Sequence, residues 1–347
     1  MTLRPLRSLR SVCCGATATN RPPTLPRRWE ALSTRQYLRL VEDLMLLAEG
    51  KLSPGTVRLR LLCDTMGWDL GKMKGDDTLA NAIMLSEHIT FPLRITYPEE
   101  ANELLHPLPR DIREQCRRTD PFRLHLPIAT KLQQMDYRYT IDLCFCKQFL
   151  PTLRTRHNAY QGYIVSTAYD TLTLSLTSLQ YIEAMAILKR IGANGANGQT
   201  PSTPTTLPLL AAILYTPQPY SSTAAHAIAD DLATLPPPTL QAVAWNFQAL
   251  NNFIFTHTPF SLLAHVQERR SPPIATDAGD ALYDLSADGL GNNTEIEQMN
   301  IITYLRILRK KTIDTVRLMR THQIGTPQIS AHTGLPIHTV NQILGIP

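Results

Sequence analysis

The sequence predicts a mainly α-helical protein, with a multi-helix body, minor β-structure and a C-terminal helix-turn-helix-like unit. Three observations carry this. Apolar residues recur at the helical period in several stretches, and capping signals such as Ser-x-x-Gln and Ser-Pro stand where those stretches begin. Residues 328–344 have the apolar and glycine spacing of two short helices joined by a tight turn. The 26 prolines in 347 residues imply many interrupted connections, so long helices should be few.

Five segments follow in chain order: a disordered basic arm (1–28), an N-terminal helical domain with minor β-structure (29–160), a second helical domain (161–270), a linker with a helix-loop-helix (271–311), and the helix-turn-helix-like unit (312–347). The arm holds six arginines and no acid. Pro22, Pro23 and Pro26 would keep it extended up to Trp29. Its Arg, Ser, Thr and Pro content is also that of an organellar targeting peptide, but it lacks a sustained amphipathic helix.

Leu32-Ser-Thr-Arg-Gln-Tyr-Leu opens the first helix and recurs as Leu176-Thr-Ser-Leu-Gln-Tyr-Ile. Ser33 with Gln36, and Thr177 with Gln180, have capping-box spacing. Tyr37, Leu40, Val41, Leu44 and Leu47 make the first apolar stripe, and Tyr181, Ile182, Met185 and Leu188 the second. Gly50 stops the first helix, and Ser53-Pro54 restarts the chain towards Gly67. A further helix is expected over 77–88, with extended pieces at 93–97 and 123–126, where alternation replaces the helical period.

Residues 192–206 are rich in Gly, Pro, Asn and Thr and read as a flexible loop within the second domain. Beyond it, helices are expected over 207–215, 222–235 and 239–255, the last behind a Pro236-Pro237-Pro238 break. Trp245, Phe247, Phe253 and Phe255 give that helix apolar character around much of its circumference, so it should be central and buried.

The net charge of +5 is concentrated at the two ends, which argues against a nucleic-acid groove across the whole protein. No run approaches the ~18 apolar residues of a membrane span, and the expectation is a soluble, cytoplasmic protein without a membrane partner. The six cysteines are irregularly spaced and read as reduced thiols. Cys144 and Cys146 would share one side of a strand, without a second pair to complete a zinc site.

Enzyme signatures are absent: there is no Gly-rich phosphate loop, no Gly-x-Ser-x-Gly elbow and no His-Glu-x-x-His motif. Acidic pairs such as Glu99-Glu100 and Asp230-Asp231 suit helix ends or solvated faces. No catalytic residue, cofactor or small-molecule substrate is therefore expected. Residues 284–295 fit an EF-hand calcium loop, with oxygen ligands from Asp284, Ser286, Asp288, Asn292 and Glu295 around Gly289. Gly291 departs from the aliphatic residue usual at the eighth place. The alternative is a helix ended by Gly289 and a following helix capped by Asn293 or Thr294.

In residues 328–344, Ile329, Leu335, Val340 and Ile343 would be buried between two helices, with Gly334 supplying the positive φ of the turn. A supporting helix over 312–322 would present Ile313, Val316 and Met319. His338, Asn341 and Gln342 would then face base edges, and Arg317 and Arg320 phosphates. No Lys or Arg follows Gln323, so the alternative is a helical hairpin that packs on the body or on a partner protein.

Trp29-Glu-Ala-Leu-Ser-Thr-Arg-Gln-Tyr37 resembles the opening of mostly helical proteins encoded in the structural and tail-gene modules of tailed phages and prophages. Ala211-Ala-Ile-Leu-Tyr-Thr-Pro217 and the Trp245-Asn-Phe247 helix are similar to a later segment of that group, although Thr216 stands where the group has Arg. The resemblance spans residues from about Trp29 to Lys311. It implies a non-enzymatic role in virion assembly, akin to a tail-assembly chaperone, with phage structural or assembly proteins as partners in the host cell. The competing readings are a DNA-binding regulator that uses the C-terminal unit on duplex DNA, and a calcium-responsive binding module.

Overall fold

A computed structural model describes residues 24–73, 75–196, 206–264 and 291–346, together with Ser286 and Gly289. The fold is mainly helical, with a few short antiparallel strands. Expectations for the arm before Thr24 and for most of the 271–290 linker lie outside the described residues. The chain divides into two compact units, Met1–Asp142 and Leu143–Pro347. The boundary expected between 160 and 161 instead cuts through a strand of the second unit, a strand of three residues and too short to read as alternation.

In the first unit, α1 (Thr34–Ala48) begins with the full capping box: the Ser33 hydroxyl accepts from Gln36 N, and the Gln36 side chain accepts from Ser33 N. α2 (Pro54–Met66) has Ser53 as its cap and ends at Gly67 in the left-handed region, φ 66°. α3 (Asp76–Ser86) packs on α2, as α2 does on α1. The Trp29 ring meets Tyr37 and Phe91 edge to face, and its Nε1 donates to Asp142 O at 2.8 Å.

β1 (Leu93–Thr96) pairs antiparallel with β2 (Arg138–Ile141), Leu93 opposite Ile141. Between them lie α4 (Glu99–Leu105), α5 (Arg110–Arg118) and α6 (Ala129–Gln133), which share a core of Ile95, Tyr97, Ala101, Leu105, Cys116, Leu124 and Leu132. Glu99 and Glu100 occupy the first turn of α4, where acids favour the helix dipole. Of the extended piece expected at 123–126, Arg123 ends a 3-10 turn, Pro121–Arg123, opened by the Asp120 side chain, while Leu124 is extended and no strand forms. A proline and an Asx-type cap outweigh a few alternating residues there.

The second unit opens with an extended strap, residues 143–149, laid along a long helix described below. Two hairpins follow: β3 (Thr152–Arg154) with β4 (Ala159–Gln161), and β5 (Val165–Ser166) with β6 (Thr173–Leu174). α7 (Ser178–Ala196) continues through Gly192 into the stretch expected to be loop, and residues 197–205 lie outside the described residues. Its N-terminus realises half of the second capping box. Thr177 Oγ1 accepts from Gln180 N, but the Gln180 side chain donates to Ile213 O at 2.7 Å. Its buried apolar residues are Tyr181, Ala184 and Ile187, a face turned from the expected Tyr181, Ile182, Met185 and Leu188 stripe.

α8 (Thr206–Tyr215) is buried on nearly every side and touches α7, α9 (Ser222–Leu232) and α10 (Pro237–His257). α10 is buried along much of its length, as expected, but mainly through Leu240, Val243, Phe247, Leu250 and Ile254; of the four aromatics behind that expectation only Phe247 is buried, and Trp245, Phe253 and Phe255 are half-buried. Pro237 and Pro238 form its first turn, where a missing N–H costs nothing, so the triple proline starts the helix where a break was expected. Among the described residues beyond it, α11 (Asn293–Glu297) precedes α12 (Ile301–Thr321). Ile301, Ile302, Tyr304 and Leu305 sink the start of α12 into the body, where Ile301 N donates to Leu176 O and Ser178 N to Met299 O. α12 is one helix across the boundary expected between 311 and 312. α13 (Thr326–Thr333) and α14 (Ile337–Leu344) complete the chain.

Candidate nucleic-acid interface

α12, α13 and α14 close around Val316, Ile329, Leu335 and Val340, each 0% exposed. Three of the four positions expected to be buried between the helices are therefore in this core, and Ile343 packs half-buried at its edge. Of the supporting residues, Val316 is central, Met319 joins the rim, and Ile313 is half-buried outside it. Leu262 also packs on the core. Sequence reasoning missed it because it is far away in the chain and belongs to no periodic stretch.

The turn is satisfied from within. Gly334 takes φ 76°, ψ −1°, and its N–H donates to Ser330 O at 2.9 Å. Ser330 Oγ donates to Leu335 O at 2.6 Å and Thr333 Oγ1 to Ile329 O at 2.7 Å. With its backbone groups paired by buried hydroxyls, the angle between the two helices is held rigidly. α14 starts at Pro336 without a side-chain cap. Its first-turn amides at Ile337 and His338 have no intrahelical partner, and such groups favour an anion.

His338 and Gln342 are exposed and Asn341 is half-buried. Their i, i+3, i+4 spacing puts them on one face of α14, away from Val340. Arg317 and Arg320 are exposed on α12, a different helix that packs against both α13 and α14. Arg306, Lys310, Arg317 and Arg320 fall within about 80° of one another around the α12 axis at 100° per residue. The basic residues thus form a stripe, and Arg309 at its margin donates from Nε to Pro259 O at 3.1 Å. The stripe signal was present in the residue spacing, but only a helix longer than 312–322 reveals it.

Asp284 and Asp288 of the expected calcium loop lie outside the described residues. Ser286 Oγ donates to Gly291 O at 3.0 Å. Asn292 and Glu295 form a capping box on α11: Asn292 Oδ1 accepts from Glu295 N at 2.8 Å, and Glu295 Oε2 accepts from Asn292 N at 3.0 Å. The cap is therefore Asn292, one residue before Asn293 and two before Thr294, the caps expected. Gly291 takes φ 136°, a backbone conformation that side chains other than glycine's rarely adopt. Among the described residues no group of three or more His, Cys, Asp or Glu could hold a metal ion.

A cleft of about 850 Å³ lies along α1 and α2 in the first unit. Four of the charges that line it pair with one another, Arg60 with Asp43 at 2.7 Å and Arg39 with Asp64. No helix among the described residues is long and apolar enough to cross a membrane. No protein-family model matches the chain, nor does any curated protein or solved structure, so the reading of the interface rests on its own residues.

Proposed function

We propose that the chain binds duplex DNA through α12, α13 and α14, without catalysing a reaction. The observation that supports this is a three-helix core that closes completely yet leaves a polar face of α14 in solvent. That face carries His338, Asn341 and Gln342, side chains able to donate to and accept from base edges. Arg317 and Arg320, with the rest of the α12 stripe, supply the phosphate contacts. In polarisation assays at low salt, the full chain should bind a labelled duplex, and Arg317→Glu with Arg320→Glu should abolish binding while leaving the melting temperature unchanged. Absence of binding by the unaltered chain would refute the reading.

A second reading is a protein-binding role in phage assembly, in keeping with the resemblance of residues 29–37 and 211–217. Two observations favour it. No Lys or Arg follows Gln323, and Leu318, Ile337 and Ile346 around the three-helix core are 59%, 50% and 36% exposed. Exposed apolar residues beside a rigid turn suit a protein partner better than a phosphate backbone. Leu318→Asp and Ile337→Asp would weaken such a contact, whereas the arginine variants would weaken DNA binding.

A further inference from the structure

The strap 143–149 brings a thiol and an imidazole together at the end of α10. Cys144 Sγ lies 3.5 Å from His257 Nδ1 and 3.4 Å from Thr256 Oγ1, and Thr256 Oγ1 lies 2.7 Å from His257 Nδ1. The protons in this cluster follow from its contacts. Thr256 Oγ1 is 2.6 Å from Asn252 O, and a carbonyl cannot donate, so the single hydroxyl proton is spent there. The short contact to His257 therefore has Nδ1–H as its donor, and the same N–H faces the Cys144 sulfur.

The geometry is held on both sides. Asn252 Nδ2 donates to Leu143 O at 2.6 Å, and Phe145 N donates to Ala249 O, which fixes the backbone before and after Cys144. The His257 ring stacks on Phe253, centroids 5.2 Å apart and planes 4° from parallel, which sets the direction of Nδ1. Thr256 and His257 are exposed and Cys144 is half-buried with no disulfide, so reagents can reach the sulfur.

We propose that Cys144 and His257 form a nucleophilic thiol site that takes small disulfides. The thiol proton leaves to water, and His257 Nδ1–H donates to the thiolate. The sulfur attacks one sulfur of the disulfide, the new S–S bond forms as the old one breaks, and the second half departs as a thiolate that takes up a proton. The balance is Cys144–SH plus R–S–S–R to Cys144–S–S–R plus R–SH, with the small disulfide as the oxidant.

The full chain is incubated at neutral pH with oxidised glutathione, and adducts are located by mass spectrometry with fragmentation that separates Cys144 from Cys146. Cys144 should be modified faster than a short unstructured cysteine peptide, and His257→Ala should slow that modification roughly tenfold without changing modification of the peptide. A Cys144 rate equal to or below that of the peptide overturns the proposal, as does an unchanged rate in a folded His257→Ala. If His257→Ala does not fold, the comparison with the peptide, made on the unaltered chain, decides alone.

Discussion

Asn246 is 2% exposed in the middle of α10, and both ends of its amide are used. Oδ1 accepts from Phe149 N at 2.8 Å, and Nδ2 donates to Lys147 O at 2.7 Å. One side chain thus bonds two backbone groups of the strap. Asn246→Ala removes both of these bonds, and should cost about 2–3 kcal/mol in urea denaturation at unchanged m-value. An effect no larger than that of an exposed Asn→Ala would show that water replaces the amide. Nothing in the sequence marks this residue, because its burial depends on a segment some hundred positions earlier. Gly162 is equally silent: a Cβ there would stand 2.8 Å from the Tyr215 ring, whose hydroxyl donates to Leu150 O. By contrast Ser33, Gly67 and Gly334 were readable, since each acts on its immediate neighbours.

At the scale of elements, legibility followed range in the same way. Helices with caps and long stripes could be read, and so could β1, expected as an extended piece over 93–97, but β2 and the two- and three-residue strands of the second unit could not, because their pairing partners and not their own pattern define them. The hairpin of β3 and β4 shows what fixes such a short element. Asp231, at the end of α9, takes three donors on one oxygen: Tyr160 OH at 2.6 Å, Thr155 Oγ1 at 2.9 Å and Asn158 Nδ2 at 3.0 Å. The Tyr160 hydroxyl first, then Asn158 and Thr155, hold this carboxyl below the usual carboxylate range. A folded pKa below the unfolded one gives a contribution that is complete above about pH 4 and fades as pH falls through the lower folded value. Protection of the Ala159, Tyr160 and Gln161 amides, corrected for the intrinsic pH dependence of exchange, should therefore fall only on acidification from about pH 4 downward, and Asp231→Asn should remove that step. A step that persists in Asp231→Asn would assign the acid sensitivity elsewhere.

Across the second unit, α12 is the element that joins body to helix-turn-helix. At 21 residues it spans about 31 Å at 1.5 Å per residue, rooted in the body by Ile301 to Leu305 and capped by the core around Val316. The turn of 328–344 was legible because all of its determinants sit within a few residues of one another. The ligand was not, because the charge that would hold DNA lies on another helix, and only the continuity of α12 aligns Arg306 and Lys310 with Arg317 and Arg320. This division of labour makes the DNA reading quantitative. Each phosphate neutralised should contribute about −0.9 to the slope of log K against log salt. Arg317→Ala with Arg320→Ala should lower the magnitude of that slope by about 2 and weaken all sequences alike. Gln342→Ala should leave the slope unchanged and flatten the preference among duplexes, because a base-edge contact carries sequence information and little counterion release. If the arginine pair leaves the slope unchanged, the stripe does not meet the backbone, and the polar face of α14 belongs to a protein contact instead.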